Sequence, residues 1–381
     1  MKILYMIPTM GKGGAEDIII SLSNNLSADF KVTIFLLRRC EDDEYNISRI
    51  SNNVDLILLD DYCKNKFLNN IKLISFIYKT YIAIKLFFVK KFFQFDVIHT
   101  NLTLSSILAS FYQLISIILP FKKFKRTKYL ETFHTNFHLL NYLQLIIFIL
   151  GWNLRHKLIY EINEPEKHKI KKVLINKKKL VYIPFSAEEH SKNREKSFIS
   201  FPLQNYKLIT VSRMRLFEKK IDTMLETLSI LRKDFDLPFE LILAGDGKDL
   251  HLIKDMAEKL GLIDYVKFPG YVDFPQEFMH SGDIYMCAMV GDDPGISGIQ
   301  ACQQKIPLIG IQTLKNYASS PIFSSNIPEQ IASKINNLVT KQDLNEYAES
   351  CMTFVNKKFS VNNMINKYKD LYYDFDEEDA L

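Results

Sequence analysis

Short apolar segments alternate with helical patterns along most of this chain, and that alternation restricts the possible folds more than any other feature. The apolar segments are continuous, without the in–out alternation of a strand that is exposed on one face. Strands of that kind belong to parallel sheets covered by helices on both faces. In the first half we predict strands at residues 2–8, 31–37, 54–59, 95–100, 127–134, 156–162 and 177–184.

The same pattern begins again after a polar stretch at residues 186–197, which we interpret as a linker. A chain of 381 residues is long enough for about two domains. We predict an α/β fold with two doubly wound, Rossmann-like domains facing a cleft, and ligands at the carboxyl ends of the strands. The predicted boundaries are 1–200 for the first domain, 201–360 for the second, and 361–381 for a C-terminal helix with an acidic tail.

Charge and cysteine content restrict the setting. Basic residues exceed acidic ones in the first 200 residues, whereas acidic residues are in excess in the remainder. This asymmetry suggests two domains with different partners. The five cysteines match no metal-binding spacing, and no secretory pattern opens the chain, so we expect a reducing, cytoplasmic location.

The loop after the first strand contains Gly11, Gly13 and Gly14. It lacks the Gly-Lys-Ser/Thr ending of a P-loop and the third glycine of a dinucleotide fingerprint, so neither motif is present. What remains is the pair Gly13 and Gly14, which lets the backbone approach a charged ligand at a helix N-terminus. A merely tight strand-to-helix turn is the alternative interpretation.

Basic residues follow the first strand of the second half. Arg213, with Lys219 and Lys220 a few residues later, provides a guanidinium fork and ammonium charges suited to a diphosphate. A second glycine-containing loop begins at Gly245, after the next strand, and we predict that Gly245 contacts the nucleotide.

A second anion site is predicted where a helix starts at Gly295 and Ile296, because its first N–H groups are unpaired. Gln300, about one turn into that helix, provides a polar side chain for sugar or ribose hydroxyls. Asp292 and Asp293 lie just before the helix.

In this order the motifs resemble the retaining GT-B glycosyltransferases of family four, the glycosyltransferase group 1 type. The resemblance implies a hexosyltransferase whose donor is a nucleotide-diphosphate sugar, most often a UDP-sugar. Its carriers are GGAE (13–16), VSRMRLFEKKID (211–222), LILAGDGKDL (241–250), VKFPGYV (266–272) with SGDIYM (281–286), and DDPGISGIQACQQKIPLI (292–309).

The chain departs from the family signature of two glutamates separated by seven residues. Asp292 stands at the first glutamate position and Gln300 at the second. By resemblance Asp292 is a candidate catalytic acid, and Gln300 is a candidate ribose ligand that has lost the carboxylate charge. His134 follows a strand where such enzymes commonly have a histidine that reaches the donor sugar, so it is the second catalytic candidate. His99, at the end of the preceding strand, is the weaker candidate.

Two Asp-x-Asp sequences, at 234–236 and 374–376, would suggest a metal-dependent transferase. Both lie in polar surroundings typical of solvated charges. We predict neither a metal nor another cofactor, because basic loops and helix N-termini can neutralise the leaving diphosphate.

Residues 65–95 combine lysines with aromatic residues, and Lys122–Arg126 add five consecutive positions with four basic side chains. This composition suits an anionic membrane surface, although a core helix with a solvated lysine face is the alternative. Two more apolar stretches, 104–121 and 139–154, are too short or too polar to span a bilayer and are expected to be buried helices. No recognition motif for nucleic acid accompanies the basic residues.

The family resemblance implies sugar transfer to a lipid-linked or oligosaccharide acceptor in bacterial capsule or lipopolysaccharide assembly. With the basic, aromatic stretches, we expect this to occur at the inner face of the cytoplasmic membrane. Two alternatives stay open. A catalytically degenerate GT-B protein would bind sugar or lipid without turnover, and a GT-B epimerase would interconvert nucleotide sugars without an acceptor.

Overall fold

Parallel β-sheets form the centre of both units of the chain in the computed structural model. The first unit comprises Met1–Phe185 with Val361–Leu381, and the second comprises Ser186–Ser360. For 72–77 and 375–378 only the backbone is described. The described residues are 1–11, 13–40, 43–63, 72–90, 92–118, 127–134, 149–161, 170–187, 205–272, 274–312 and 320–378.

The first unit contains seven parallel strands in the order β3-β2-β1-β4-β5-β6-β7. From β1 the chain adds β2 and β3 on one side of the sheet, and it then adds β4 to β7 on the other side. The sheet is therefore doubly wound, with its switch point between β1 and β4. Each strand predicted in the first half is confirmed within one or two residues, except that β7 is shorter. The strands are β1 Lys2–Ile7, β2 Lys31–Leu36, β3 Asp55–Leu58, β4 Val97–Asn101, β5 Lys128–Phe133, β6 Lys157–Tyr160 and β7 Leu180–Tyr182.

Four described helices flank this sheet within the first 134 residues: α1 Gly14–Leu26, α2 Asp43–Ser48, α3 Lys72–Val89 and α4 Thr103–Ile118. Aromatic side chains of α3 and α4 pack together over the strands, with the Phe87 and Tyr112 rings stacked at 4.6 Å between centroids. Because both rings are fully buried, they tie the two helices to one core.

Helix α4 is buried on one face only. Phe111, Leu114, Ile117 and Ile118 are exposed, by 46%, 41%, 63% and 74%. The helix predicted at 104–121 is therefore buried on its inner face only. Residues 119–126 and 139–148, which belong to other predictions for this half, lie outside the described residues. Across the part of the chain that the structure describes, no helix combines the length and hydropathy that crossing a bilayer requires.

The C-terminal helix α11, Val361–Glu378, belongs to the first unit. Tyr372 from this helix is buried, and its hydroxyl lies 2.8 Å from the hydroxyl of Tyr5 in β1. The segment that the sequence set apart as a terminal helix is thus part of the first unit's core.

The second unit has six parallel strands in the order β10-β9-β8-β11-β12-β13, again the Rossmann arrangement. Its last strand has only two residues and was not predicted. The strands are β8 Tyr206–Val211, β9 Phe239–Ala244, β10 Val266–Gly270, β11 Ile284–Met289, β12 Leu308–Gln312 and β13 Ser324–Ser325. The helices are α5 Ile221–Lys233, α6 Leu250–Lys259, α7 Pro275–Met279, α8 Gly295–Gln303, α9 Pro328–Thr340 and α10 Leu344–Lys358.

Candidate functional site

The loop between β8 and α5 carries the basic residues predicted to hold phosphate. Arg213 is exposed over 72% of its side chain, and its guanidinium lies 3.8 Å from Glu218 Oε1. A contact of that length and exposure restrains the side chain weakly. Arg213 can therefore turn toward an anionic ligand at this edge of the sheet.

Lys219 and Lys220 differ from Arg213 in their surroundings. Burial lowers the pKa of Lys219, with Glu218 opposing that effect. Lys220 takes a left-handed backbone conformation, φ +57°, immediately before α5. Both lysines are half-buried, and Lys220 forms the turn into the helix.

Lys219 lies near β11, the strand beside β8. Burial and the charge of Asp293 raise the pKa of the Cys287 thiol, and the positive charge of Lys219 opposes them. The structure therefore brings the loop after β8 and the loop after β11 together at the switch point of the sheet, where ligands bind in folds of this kind.

The helix α8 begins with the predicted anion-binding turn. Gly295 has φ +68°, and its N–H donates to Asp293 Oδ1 at 2.8 Å. That N–H is thus used within the loop, whereas the N–H of Ile296 has no intrahelical acceptor by its position. Gln300 is half-buried on the same helix. No described residue forms a hydrogen bond with the Gln300 side-chain amide.

Asp292 is held inside the second unit. It is 4% exposed, its Oδ1 accepts a hydrogen bond from Ser320 N at 3.0 Å, and its Oδ2 lies 3.3 Å from Lys358 Nζ. A catalytic role for Asp292 stays a prediction. In this conformation both carboxylate oxygens already have protein partners.

Gly245 shapes the site by a close approach of two backbones. Its φ is +131°, and a Cβ there would overlap the carbonyl oxygen of Ser212. Its N–H donates to the Gly270 carbonyl at 2.7 Å. The predicted nucleotide contact at Gly245 therefore does not come from its own N–H in this conformation. The glycine instead lets the loop after β9 lie against the loop after β8.

In the first unit, Gly13 and Gly14 form the entrance to α1, with Gly14 exposed. The preceding turn is held by α2, which the sequence did not single out. Asp43 Oδ1 accepts from Met10 N at 3.1 Å, and Asn46 Nδ2 donates to Gly11 O at 2.7 Å. A buried Asp and Asn three residues apart give little sequence signal, because the same spacing is common in solvated helices.

His134 lies between two polar residues at the carboxyl edge of the first sheet. Its Nδ1 is 2.7 Å from Glu161 Oε2, and its Nε2 is 2.8 Å from Asn101 Oδ1. The three residues end or directly follow β5, β6 and β4. Glu161 was not predicted as a site residue.

His99 is a core residue. Its Nδ1 lies 2.8 Å from Tyr372 Oη and its Nε2 lies 2.7 Å from Thr132 Oγ1. Burial lowers the pKa of His99 to about 3, with a smaller contribution from the charge of His134. Both ring nitrogens are used inside the first unit, so His99 supports the packing of α11.

The two Asp-x-Asp sequences are described in part, because nothing is given for the Asp376 side chain. Asp234 and Asp236 are exposed in the loop after α5, and Asp374 is exposed on α11. Within the described ranges no group of three or more His, Cys, Asp or Glu side chains is placed to hold a metal ion.

Two Rossmann-like units, each with a parallel sheet flanked by helices, are the architecture of the GT-B class of fold. The solved structure of Anabaena HepE in complex with UDP and glucose is 14% identical, covering 98% of this chain and all of that chain with a TM-score of 0.73. Staphylococcus aureus TarM, solved with UDP and alpha-GlcNAc-glycerol among its ligands, is 13% identical, covering 97% of this chain and 99% of that chain at a TM-score of 0.70.

Residues 191–353, which make up most of the second unit, match the family model described as glycosyl transferases group 1. A sequence relative is the alpha-monoglucosyldiacylglycerol synthase of Streptococcus pneumoniae, 25% identical over 175 residues. That match spans 44% of this chain and only 38% of the relative's length. These matches confirm the predicted resemblance to the group 1 glycosyltransferases and the predicted GT-B fold.

Proposed function

We propose that the chain is a metal-independent, retaining hexosyltransferase that transfers a sugar from a UDP-sugar to a lipid-linked or oligosaccharide acceptor in bacterial surface-polysaccharide assembly. The observation that carries the proposal is the basic edge of the second sheet. Arg213 and Lys219 follow β8, and the N-terminus of α8 follows the neighbouring strand β11. A guanidinium, an ammonium and a helix N-terminus are the groups that bind a diphosphate.

The names of the similar proteins support the nature of both substrates. HepE has been solved with UDP and glucose, and TarM with UDP and a GlcNAc-glycerol compound. The pneumococcal relative is named as a synthase of a glucosylated diacylglycerol. These names agree with a UDP-sugar donor for the second unit and a glycan or glycolipid acceptor.

In the proposed reaction the bond between the sugar's anomeric carbon and the diphosphate oxygen breaks. A new bond forms from that carbon to an acceptor hydroxyl oxygen on the same face, and the hydroxyl proton passes to the leaving diphosphate. Arg213, Lys219 and the free N–H groups of α8 would stabilise the negative charge that develops on the diphosphate. This set of groups also provides what a divalent metal would otherwise supply.

The first experiment is a donor screen by thermal shift with UDP, UDP-glucose, UDP-galactose and UDP-N-acetylglucosamine. A ligand at 100 times its Kd stabilises the folded state by about 2.7 kcal/mol. Product formation is then measured on diacylglycerol and glucosyldiacylglycerol, with and without EDTA, and the product's anomeric configuration is determined by NMR. An inverted product, or turnover lost in EDTA, would contradict the mechanism.

A binding protein without turnover is the second candidate, because Gln300 replaces the second signature glutamate and Asp292 is paired with Lys358. Donor hydrolysis without acceptor separates the two, because a degenerate protein would bind UDP-sugar and release no sugar. Conversion of one nucleotide sugar into another without acceptor would indicate the epimerase alternative.

The proposal places the first unit at an anionic membrane, where a lipid-linked acceptor lies. In α3, Tyr81, Phe88 and Val89 are exposed by 61%, 41% and 61%, and Lys85 is exposed between them. Helix α4 packs against α3, and we propose that its exposed apolar row faces the membrane together with these side chains. Exposed apolar residues beside lysines suit the headgroup region of an anionic bilayer.

Flotation with liposomes tests this surface. Lys85→Glu with Lys90→Glu should reduce recovery on anionic liposomes, and Ile117→Ser with Ile118→Ser should reduce recovery at high salt, where charge attraction is screened. Lys254→Glu with Lys259→Glu, on the second unit, is the matched charge control. Equal recovery of the wild type and the three double variants would show that these lysines and isoleucines are only a solvated surface.

A further inference from the structure

Glu161 is a buried carboxylate that the proposed mechanism does not use. Its side chain is 4% exposed, and one oxygen, Oε2, is held by His134 at 2.7 Å. The other oxygen, Oε1, is inaccessible to solvent and has no hydrogen-bond partner among the described residues. A buried carboxylate oxygen without a donor is costly, so such an atom points to a ligand that satisfies it.

The His134–Glu161 pair determines which ligand fits. Both ring nitrogens of His134 face oxygen atoms, Glu161 Oε2 and Asn101 Oδ1, and the Asn101 amide Nδ2 points to the His99 carbonyl at 3.5 Å. With Nδ1 donating to Glu161 Oε2, the carboxylate keeps Oε1 as its unpaired acceptor. An unpaired acceptor needs a donor, and a hydroxyl group supplies one hydrogen-bond donor, so a hydroxyl suits Oε1.

The location agrees with a ligand site. Asn101, His134 and Glu161 lie at the carboxyl ends of three adjacent parallel strands, β4, β5 and β6. Ligands of doubly wound sheets bind at this edge. Tyr368 of α11 lies near Glu161: burial raises the pKa of Tyr368 most, and the charge of Glu161 raises it further. The Tyr368 hydroxyl is 3.2 Å from Thr132 Oγ1.

We propose that Glu161 Oε1 accepts a hydrogen bond from a hydroxyl of a neutral polyol, a sugar ring or a glycerol unit, with His134 and Asn101 fixing the carboxylate. The hydroxyl belongs to the donor's sugar or to the acceptor, and the chemistry of the contact is the same in both cases. The inference rests on the proposed function only in its choice of sugar probes.

The test uses Glu161→Gln in the full chain. The amide keeps the shape and one oxygen for His134, but places an NH₂ where Oε1 was, so it cannot accept from a hydroxyl. Affinity is measured calorimetrically for UDP, for UDP-glucose and for octyl β-glucoside. The expected result is unchanged UDP affinity with a 10- to 100-fold loss for one of the two sugar probes. Loss for UDP-glucose assigns the hydroxyl to the donor, and loss for octyl glucoside assigns it to the acceptor.

The matched control is Glu131→Gln, in the same sheet. Glu131 is also a buried carboxylate, but both of its oxygens have partners, Trp152 Nε1 at 3.0 Å and Arg155 Nε at 3.1 Å. This variant should unfold at a lower temperature and bind both sugar probes as the wild type does. Equal sugar affinity in wild type and Glu161→Gln overturns the inference. Wild-type binding of UDP without either sugar probe overturns it too, whereas failure of UDP binding contradicts the proposed function.

Discussion

The ammonium Nζ of Lys358 lies 3.3 Å from Asp292 Oδ2 and joins the last residue of α10 to the loop that precedes α8. The lysine side chain is 28% exposed and the aspartate side chain 6% exposed, so the pair is largely shielded from water. The phenyl rings of Phe354 and Phe359 lie 5.4 and 5.5 Å from the same nitrogen. Lys358 therefore holds one oxygen of Asp292, while Ser320 N donates to the other.

Lys358→Met should destabilise the second unit by roughly 1–3 kcal/mol, because it leaves a buried carboxylate without its cation. The measurement is denaturant unfolding, with Lys357→Met on the exposed neighbouring position as the control. Lys358→Arg should restore most of the stability. An unfolding free energy equal to that of the control variant would show that the pair contributes nothing.

Arg213→Ala should weaken UDP binding about 10- to 150-fold and abolish turnover, because a charge-assisted hydrogen bond contributes roughly 1.5–3 kcal/mol. The melting temperature should not change, since the side chain is 72% exposed. Titration calorimetry with UDP measures the effect, and Lys259→Ala on α6 is the surface control. Unchanged UDP affinity would exclude Arg213 from the phosphate site.

Gln300→Glu should keep or tighten UDP binding, because a carboxylate restores two acceptor atoms toward a ribose diol. The side chain is half-buried on α8, and the substitution preserves its length. Binding is compared for UDP and for uridine, which separates ribose contacts from phosphate contacts. A collapse of both affinities would mean that Gln300 does not stand at the ribose position.

Acid should destabilise the first unit through His99. Its pKa falls from 6.5 to about 3 on folding, so the folded state keeps the ring neutral while the unfolded state takes up a proton. The stabilisation is complete above pH 6.5 and is lost as pH falls toward 3. At pH 5 this linkage costs on the order of 2 kcal/mol.

Denaturant titrations at pH 7.5 and pH 5 test the pH effect. His99→Gln should show a smaller loss between the two pH values than the wild type, and the exposed His251→Gln should behave as the wild type does. His156, whose pKa burial lowers to about 4, acts in the same direction and remains in both variants. Identical pH dependence in all three proteins would contradict the assignment to His99.

Most strands were predictable because strands of a parallel sheet are buried on both faces and therefore appear in the sequence as continuous apolar segments. Ser324–Ser325 could not be predicted, because a two-residue polar edge strand has no periodicity. The placement of Val361–Glu378 on the first sheet depends on contacts with Tyr5 and His99, far away in sequence, which no local pattern encodes.

Two glycines of the candidate loops, Gly245 and Gly295, do have the positive φ angles that favour glycine, and Arg213 does follow a strand. The ligand-binding roles of these residues stay predictions. The partners of the charged side chains were not predictable. Glu161 looks like any acid after a strand, and Lys358 like any lysine at a helix C-terminus. Their roles emerge only when the fold places them within hydrogen-bonding distance of His134 and Asp292.

The first unit is assembled from two separate stretches of the chain, and this has a consequence for biosynthesis. During translation, β1 to β7 leave the ribosome well before α11, since the whole second unit is synthesised between them. Until α11 emerges, Tyr5 and the His99 ring lack the hydroxyl of Tyr372. The nascent first unit therefore cannot complete its core until α11 has been synthesised. The second unit is continuous in sequence and can fold first.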